Sequence, residues 1–209
     1  MSPRPRKVSD EQVFAAAYRA MNRLGPGELT LAEIAAEAGV TAGALSQRFG
    51  SKRQLLLSLA GRAAASAGHF IRALATKHDS PLAALRDYAA YMAHLAESPP
   101  ALARSLAYLQ IDLTDPDFHA LLVAQARASR AGLQELVRAA VDAGELAPRT
   151  DARMLTRMID VALSGSLMTY AIYRDGTAAR WLRENVDAVL APYLSAKRKR
   201  GSRTTRRRG

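Results

Sequence analysis

The stretch from Thr30 to Leu55, TLAEIAAEAGVTAGALSQRFGSKRQL, constrains the fold more than any other part of the chain. It reads as a short helix, a tight glycine turn, a second short helix and the start of a third. Thr30 can cap the first helix, and Glu33, three residues on, can return the hydrogen bond to the Thr30 N–H. Ala35 is small enough to let two helices approach, Gly39 can take a turn position with positive φ, and Leu45 packs the second helix back. Thr41 caps that second helix, which runs from Ala42 to Arg48 and is ~10 Å long at 1.5 Å per residue. A helix of that length fits a DNA major groove, about 12 Å wide. An ordinary helical hairpin inside an all-α core has the same local signature, so the rest of the chain decides between them.

Upstream, Ser9-Asp-Glu-Gln12 is a capping box followed by Val13, Phe14, Ala17, Tyr18, Met21 and Leu24, one helical face that Gly25-Pro26-Gly27 ends. This helix gives the hairpin a third partner. Downstream, Ser51-Lys-Arg-Gln54 opens a long helix to about Lys77, whose length and apolar content carry it out of the small domain into the next. Ser80-Pro81 starts a helix to about Glu97, which Pro99-Pro100 breaks, and a further helix spans about Ala101 to Leu113. Asp115-Pro116 starts the longest helix, to Ala143. Thr150 or Asp151 caps the next, ending near Asp175-Gly176, and Thr177 caps the last, Ala178 to about Ala196. The fold expected is all-α, about nine helices with no strand and no fixed-period repeat. Its organisation is a basic arm (1–8) without fixed structure, a three-helix helix-turn-helix domain (9–52), a helical ligand-binding and dimerisation domain (53–196) and a disordered basic tail (197–209).

Charge is unevenly placed. The net charge is +11, yet Arg4, Arg6 and Lys7 at one end and eight Lys and Arg from Lys197 onward carry the whole excess, leaving 19 basic against 19 acidic residues between. Within that neutral body, Ala38 to His78 holds no acid and six bases, Arg48, Lys52, Arg53, Arg62, Arg72 and Lys77, where a phosphate backbone would sit. The chain has no cysteine, which excludes disulfides and thiolate metal sites and fits a cytoplasmic protein. MSPRPRK is followed by VSDEQ rather than an apolar run, so no secretory leader is expected, and Val161 to Tyr173 is too short to span a bilayer.

The Thr30–Leu55 stretch resembles the TetR (tetracycline-repressor) family of bacterial transcription regulators. The resemblance rests on Ile34-Ala35, Ala38-Gly39-Val40-Thr41, Gly43, Phe49 and Lys52, and the rest of the chain matches in helix count and order. It departs from the family pattern at Ser46 and Arg48, where that family typically carries aromatic or histidine side chains. Read this way, Lys52 meets a phosphate at the start of the long helix, and Thr30 and Thr41 add hydroxyls near phosphate. Ala42 and Gly43 let the helix approach the bases, and Ser46 can donate to a phosphate. Gln47 suits adenine N6/N7, and Arg48 suits either a guanine edge or a phosphate. Phe49 and Leu45 belong to the small core.

Tyr88, Tyr91, Met92, Tyr108, Phe118, Met154, Met158 and Tyr170 could line an apolar effector pocket, with His94, Gln110, His119 or Asp112 as polar handles; the same side chains at helical spacing also suit a plain core. Gly165, with Trp181, Leu182, Val186 and Val189 on the last helix, suggests a dimer interface, which the resemblance casts as a four-helix bundle; closing the protomer's own core is the alternative. The four histidines show no metal-ligand spacing, and no phosphate loop or nucleophile motif is present, so neither enzyme activity nor a cofactor is expected. The function expected is a homodimeric repressor that leaves a palindromic DNA operator when a small apolar or amphipathic effector binds, with no membrane partner. The competing expectation is an architectural, non-specific DNA-binding protein dominated by its basic tails.

Overall fold

Among the described residues every α-helix begins on a side chain that accepts from one or two of its open N-terminal amides. The computed structural model describes residues 8–195. Ser9 caps α1 (Asp10–Arg23) with a complete capping box to Gln12. Thr30 caps α2 (Leu31–Ala38), Thr41 caps α3 (Ala42–Phe49) and Ser51 caps α4 (Lys52–Ala75). Ser80 caps α5 (Pro81–Ala93), Ser98 caps α6 (Pro99–Thr114) and Asp115 caps α7 (Pro116–Asp142). Asp151 caps α8 (Ala152–Tyr173) and Thr177 caps α9 (Ala178–Leu190). The described residues thus hold nine α-helices and no strand beyond one isolated bridge, Leu146 to Leu194.

Three local readings change. The box at Thr30 is half made: Thr30 accepts from the Glu33 N–H, while the Glu33 carboxylate turns to Arg23 at 3.0 Å. Pro99 and Pro100 do not break a helix but open α6, because the first helical turn has no use for their missing N–H groups. The break falls just before, at a 3-10 turn over His94–Ala96. The last helix ends at Leu190 rather than near Ala196, giving way to a 3-10 turn, Ala191–Tyr193, that contains Pro192.

Two apolar cores organise the chain. The first gathers Val13, Phe14, Ala17 and Ala20 of α1, Leu29 of the turn that follows, Ile34 and Ala35 of α2, Leu45 of α3, and Leu55 and Leu59 of α4. The expected boundary after residue 52 therefore cuts through a shared helix: the first two turns of α4 belong to the head. Tyr108 of α6 also packs on this core. The second core joins Ile71 and Leu74 of α4 to Leu85 and Tyr88 of α5, Leu133 and Val137 of α7, Leu155 and Ile159 of α8, and Leu182, Val186 and Leu190 of α9. Here α4 lies close along α7, since a Cβ on Gly132 would stand 3.0 Å from the Ile71 Cβ. Leu182 and Val186, expected at a dimer interface, are fully buried in the protomer's own core.

Candidate nucleic-acid interface

The helix-turn-helix is built by two caps and one left-handed residue. Gly39 closes α2 at φ 69°, and the Val40 N–H reaches back to the Ala35 carbonyl at 3.0 Å while the Gly39 N–H reaches Ala36 at 3.3 Å. This pairing is the left-handed helix stop that glycine takes without steric cost. Thr41 then accepts from the Ala44 N–H at 3.1 Å and starts α3. Leu45 is the one fully buried residue of α3, and Phe49 stacks obliquely on Phe14 at 5.8 Å, so the helix is pinned along one edge. Its opposite edge, Thr41, Gly43, Ala44 and Gln47, is exposed, and Ala42 is half-buried beside it. Ala44 was not among the expected contacts, although its position three before Gln47 places it on the same face.

The other expected contacts are engaged within the protein. Arg48 donates to the Val8 carbonyl at 2.6 Å, pairs with the Asp10 carboxylate and lies 5.5 Å from the Phe49 ring centroid. It is thereby tied to the start of α1 while its side chain stays partly exposed. Lys52 spends two ammonium protons on the carbonyls of Leu29 (2.8 Å) and Pro26 (3.2 Å), fastening the turn between α1 and α2. The Ser46 hydroxyl donates to the Gly50 carbonyl at 3.2 Å rather than outward. Thr30 keeps its capping role on the exposed surface.

The acid-free stretch is not an acid-free patch. Folding brings Asp10 to Arg48, Asp115 and Asp117 to Arg53 (both 2.8 Å), Glu11 to Arg62 (3.1 Å) and Glu135 to Arg72 (3.8 Å). Hydrogen bonding by Arg53 holds the Asp115 carboxyl below the usual carboxylate range, and the carboxylates of Asp117 and Asp115 raise the guanidinium in turn. The described head is therefore close to charge-balanced. What attracts an anion to α3 is its N-terminal backbone, whose amides carry a partial positive charge. The two basic tails lie outside the described residues.

The residues expected to line an effector pocket do not share one. Tyr88 is buried in the second core beside Phe70, which also stacks on the half-exposed Tyr91 at 4.3 Å, and Met92 packs at that core's edge. Tyr170 is buried in a small third cluster with Ala96, Leu102 and Ala178. Met154 and Met158 face outward on α8, and Gln110, His119 and His94 are exposed. Only Tyr108 and Phe118, with Asp112, meet at one cavity, of about 170 Å³, where head and body join.

On the outer face of α8, Met154, Met158, Val161, Gly165, Met168 and Ile172 recur at spacings of four and three and stand exposed, Val161 at 66% and Ile172 at 68%. Such a stripe is a helix face left uncovered by the protomer's own cores, and its spacing is readable in the sequence. Gly165 and Val189 lie on the open groove between α8 and α9 together with Met158. Trp181 instead donates its indole N–H to the Asp175 carbonyl at 2.8 Å and stacks on Tyr173. Among the described residues no cluster could hold a metal ion, and no helix is long and apolar enough to cross a membrane.

Two family models match the chain: bacterial regulatory proteins of the tetR family over residues 13–59, and the tetracyclin repressor-like C-terminal domain over residues 106–186. Among solved structures it is similar to SmeT, the repressor of the Stenotrophomonas maltophilia multidrug efflux pump SmeDEF, at 22% identity. That alignment covers 91% of this chain and 93% of SmeT with a TM-score of 0.65. A TetR transcription regulator from Haloarcula marismortui is 21% identical over 89% of this chain and 98% of its own, with a TM-score of 0.69. FadR from Bacillus subtilis, in complex with stearoyl-CoA, is 17% identical over 88% and 98%, with a TM-score of 0.66. At these identities the structural likeness is one of fold. No curated protein matches the chain.

Proposed function

This chain belongs to the tetR family of bacterial regulatory proteins, and on that premise we propose that it is a homodimeric repressor, released from a palindromic operator by a small-molecule effector. The observation that carries the reading is the free edge of α3. Thr41, Gly43, Ala44 and Gln47 are exposed on a helix pinned by its other edge, and among the described residues the Gln47 amide has no intramolecular partner. Small residues at the N-terminal end permit close approach to base pairs, and Gln47 offers a bidentate match to adenine. A single helix of this length reads few bases, so two copies on a two-fold axis are needed, with half-sites about one DNA turn (~34 Å) or a multiple apart. The apolar stripe on α8 supplies the surface for that pairing.

In this reading an effector binds the body better in one spacing of the two heads than in the other, and α4, shared by both cores, carries the difference. An effector with equal affinity for both spacings would shift nothing. SmeT has been solved with triclosan and FadR with stearoyl-CoA, which supports a body able to hold a small molecule.

One observation favours a second reading. The described body is charge-balanced, and all the excess positive charge lies in the two tails, as an architectural, non-specific DNA binder would have it. Selection of random duplexes by the full chain separates the two. The regulator enriches a palindrome, and Gln47→Ala relaxes preference at defined positions by about 1–3 kcal/mol. Enrichment of no sequence would leave the architectural reading standing.

A further inference from the structure

The cavity at the head–body junction is walled by four helices. Tyr18 comes from α1, Leu56 and Leu59 from α4, Tyr108 and Asp112 from α6, and Phe118 from α7. At about 170 Å³ it matches an apolar cavity of about 150 Å³ that accepts a single benzene ring. Its lining is mostly aliphatic and aromatic. Asp112 is the only charged residue among the described residues that line it. That carboxylate is half-buried, and among the described residues nothing hydrogen-bonds or ion-pairs with it. The nearby Arg53 does not compensate it, because its guanidinium is committed to Asp115 and Asp117 while lying 5.7 Å from the Phe118 ring centroid. Burial alone pushes the Asp112 carboxyl above the ordinary carboxylate value.

We infer that this junction cavity is a binding site for a small one-ring ammonium compound, its ring between Leu59, Tyr108 and Phe118 and its ammonium on the Asp112 carboxylate. The size of the apolar space sets the ring. The unpaired carboxylate sets the charge: a cation regains the pairing that burial denies Asp112, a neutral ligand leaves the carboxylate further desolvated, and an anion meets it with repulsion. The Gln125 amide, also on the wall, offers a second acceptor for the three ammonium protons.

The position gives the site a consequence. Helix α6 contributes Tyr108 and Asp112 to the wall and also grips the head, through Arg104 Nε to the Asn22 carbonyl (2.7 Å) and the Tyr108 hydroxyl to the Leu24 carbonyl (3.0 Å). A ligand wedged between α6 and Tyr18 acts directly on the contact that sets the head against the body. Only this regulatory consequence rests on the proposed repressor; binding itself does not.

The test is calorimetric titration of the full chain with benzylamine and with its neutral counterpart, benzyl alcohol, at near-physiological salt. The expected result is one benzylamine per chain, bound about tenfold tighter than the alcohol, the size of a hydrogen bond to a charged group. Asp112→Asn should abolish that preference, and Ala63→Leu, which fills the cavity, should abolish binding of both. Should the filled variant unfold, the Asp112→Asn comparison still decides. Equal binding of amine and alcohol, binding of neither, or a preference that survives Asp112→Asn would overturn the inference. None of these outcomes involves DNA, so the site can fail while the selected operator stands, and the reverse.

Discussion

Lys52 shows how far position alters what a side chain can do. Its place at the start of α4 invites a phosphate contact, yet its ammonium holds the Pro26 and Leu29 carbonyls of the turn between α1 and α2. Lys52→Met keeps the aliphatic stem and strands both carbonyls, so the head should lose about 1–3 kcal/mol in urea unfolding. A lysine spent on this turn contributes little to counterion release, and the salt slope of duplex binding should fall by well under 1; a drop of about 1 would restore the phosphate role. Arg48 poses the same problem, held by Asp10 and by Val8, the latter 40 residues away in sequence. What was legible at this scale is what acts locally. The caps at Ser9, Thr30, Thr41 and Ser51 and the turn at Gly39 all depend on neighbours within a few residues. The partners of Arg48, Lys52 and Arg53 lie 23 or more residues away, and no spacing rule announces them.

Among the helices, α8 and α6 carry separate tasks. The stripe on α8 is exposed without being part of either core, so Val161→Arg should leave the protomer within about 0.5 kcal/mol of its original stability. It should nevertheless convert a dimer to a monomer in sedimentation, because a charge at the centre of an apolar seam must be desolvated unpaired. Retention of the dimer would place the interface elsewhere. Helical periodicity shows which residues share a face, on α8 as on α9, but not which neighbour covers it. Helix α6 has an alkaline signature. Burial, and next the Glu28 carboxylate, push the Tyr108 hydroxyl up to about 12. A folded-state value above the ordinary 10 means its contribution is complete below pH 10 and is lost as the pH rises through about 12. Burial shifts Tyr18 and Tyr88 upward as well, so they add to the loss of stability at alkaline pH. Tyr108→Phe should remove one late step from a spectrophotometric phenolate titration and cost about 1 kcal/mol at neutral pH through the lost bond to Leu24.

For the molecule as a whole, fold class and helix order are readable because each helix carries its own start signal, whereas only Tyr108, Asp112 and Phe118 of the cavity's wall are, because cavities arise where several helices meet imperfectly. Charge behaves in the opposite way: its division between a neutral body and two basic ends is plain in the sequence. In the proposed reading the body would read a groove through α3, while Arg4, Arg6, Lys7 and the eight Lys and Arg beyond Ser195 would supply charge that any duplex satisfies. Truncation after Ser195 should therefore lower affinity for every duplex and reduce the salt slope by up to about 7 per protomer, at roughly 0.9 per phosphate neutralised. Because the lost contribution is the same for all sequences, the ranking of operator variants should be preserved when specific and random duplexes are compared at one salt concentration. A ranking that collapses with the tail would mean that α3 contributes too little to specify a site, and the architectural reading would then account for the binding.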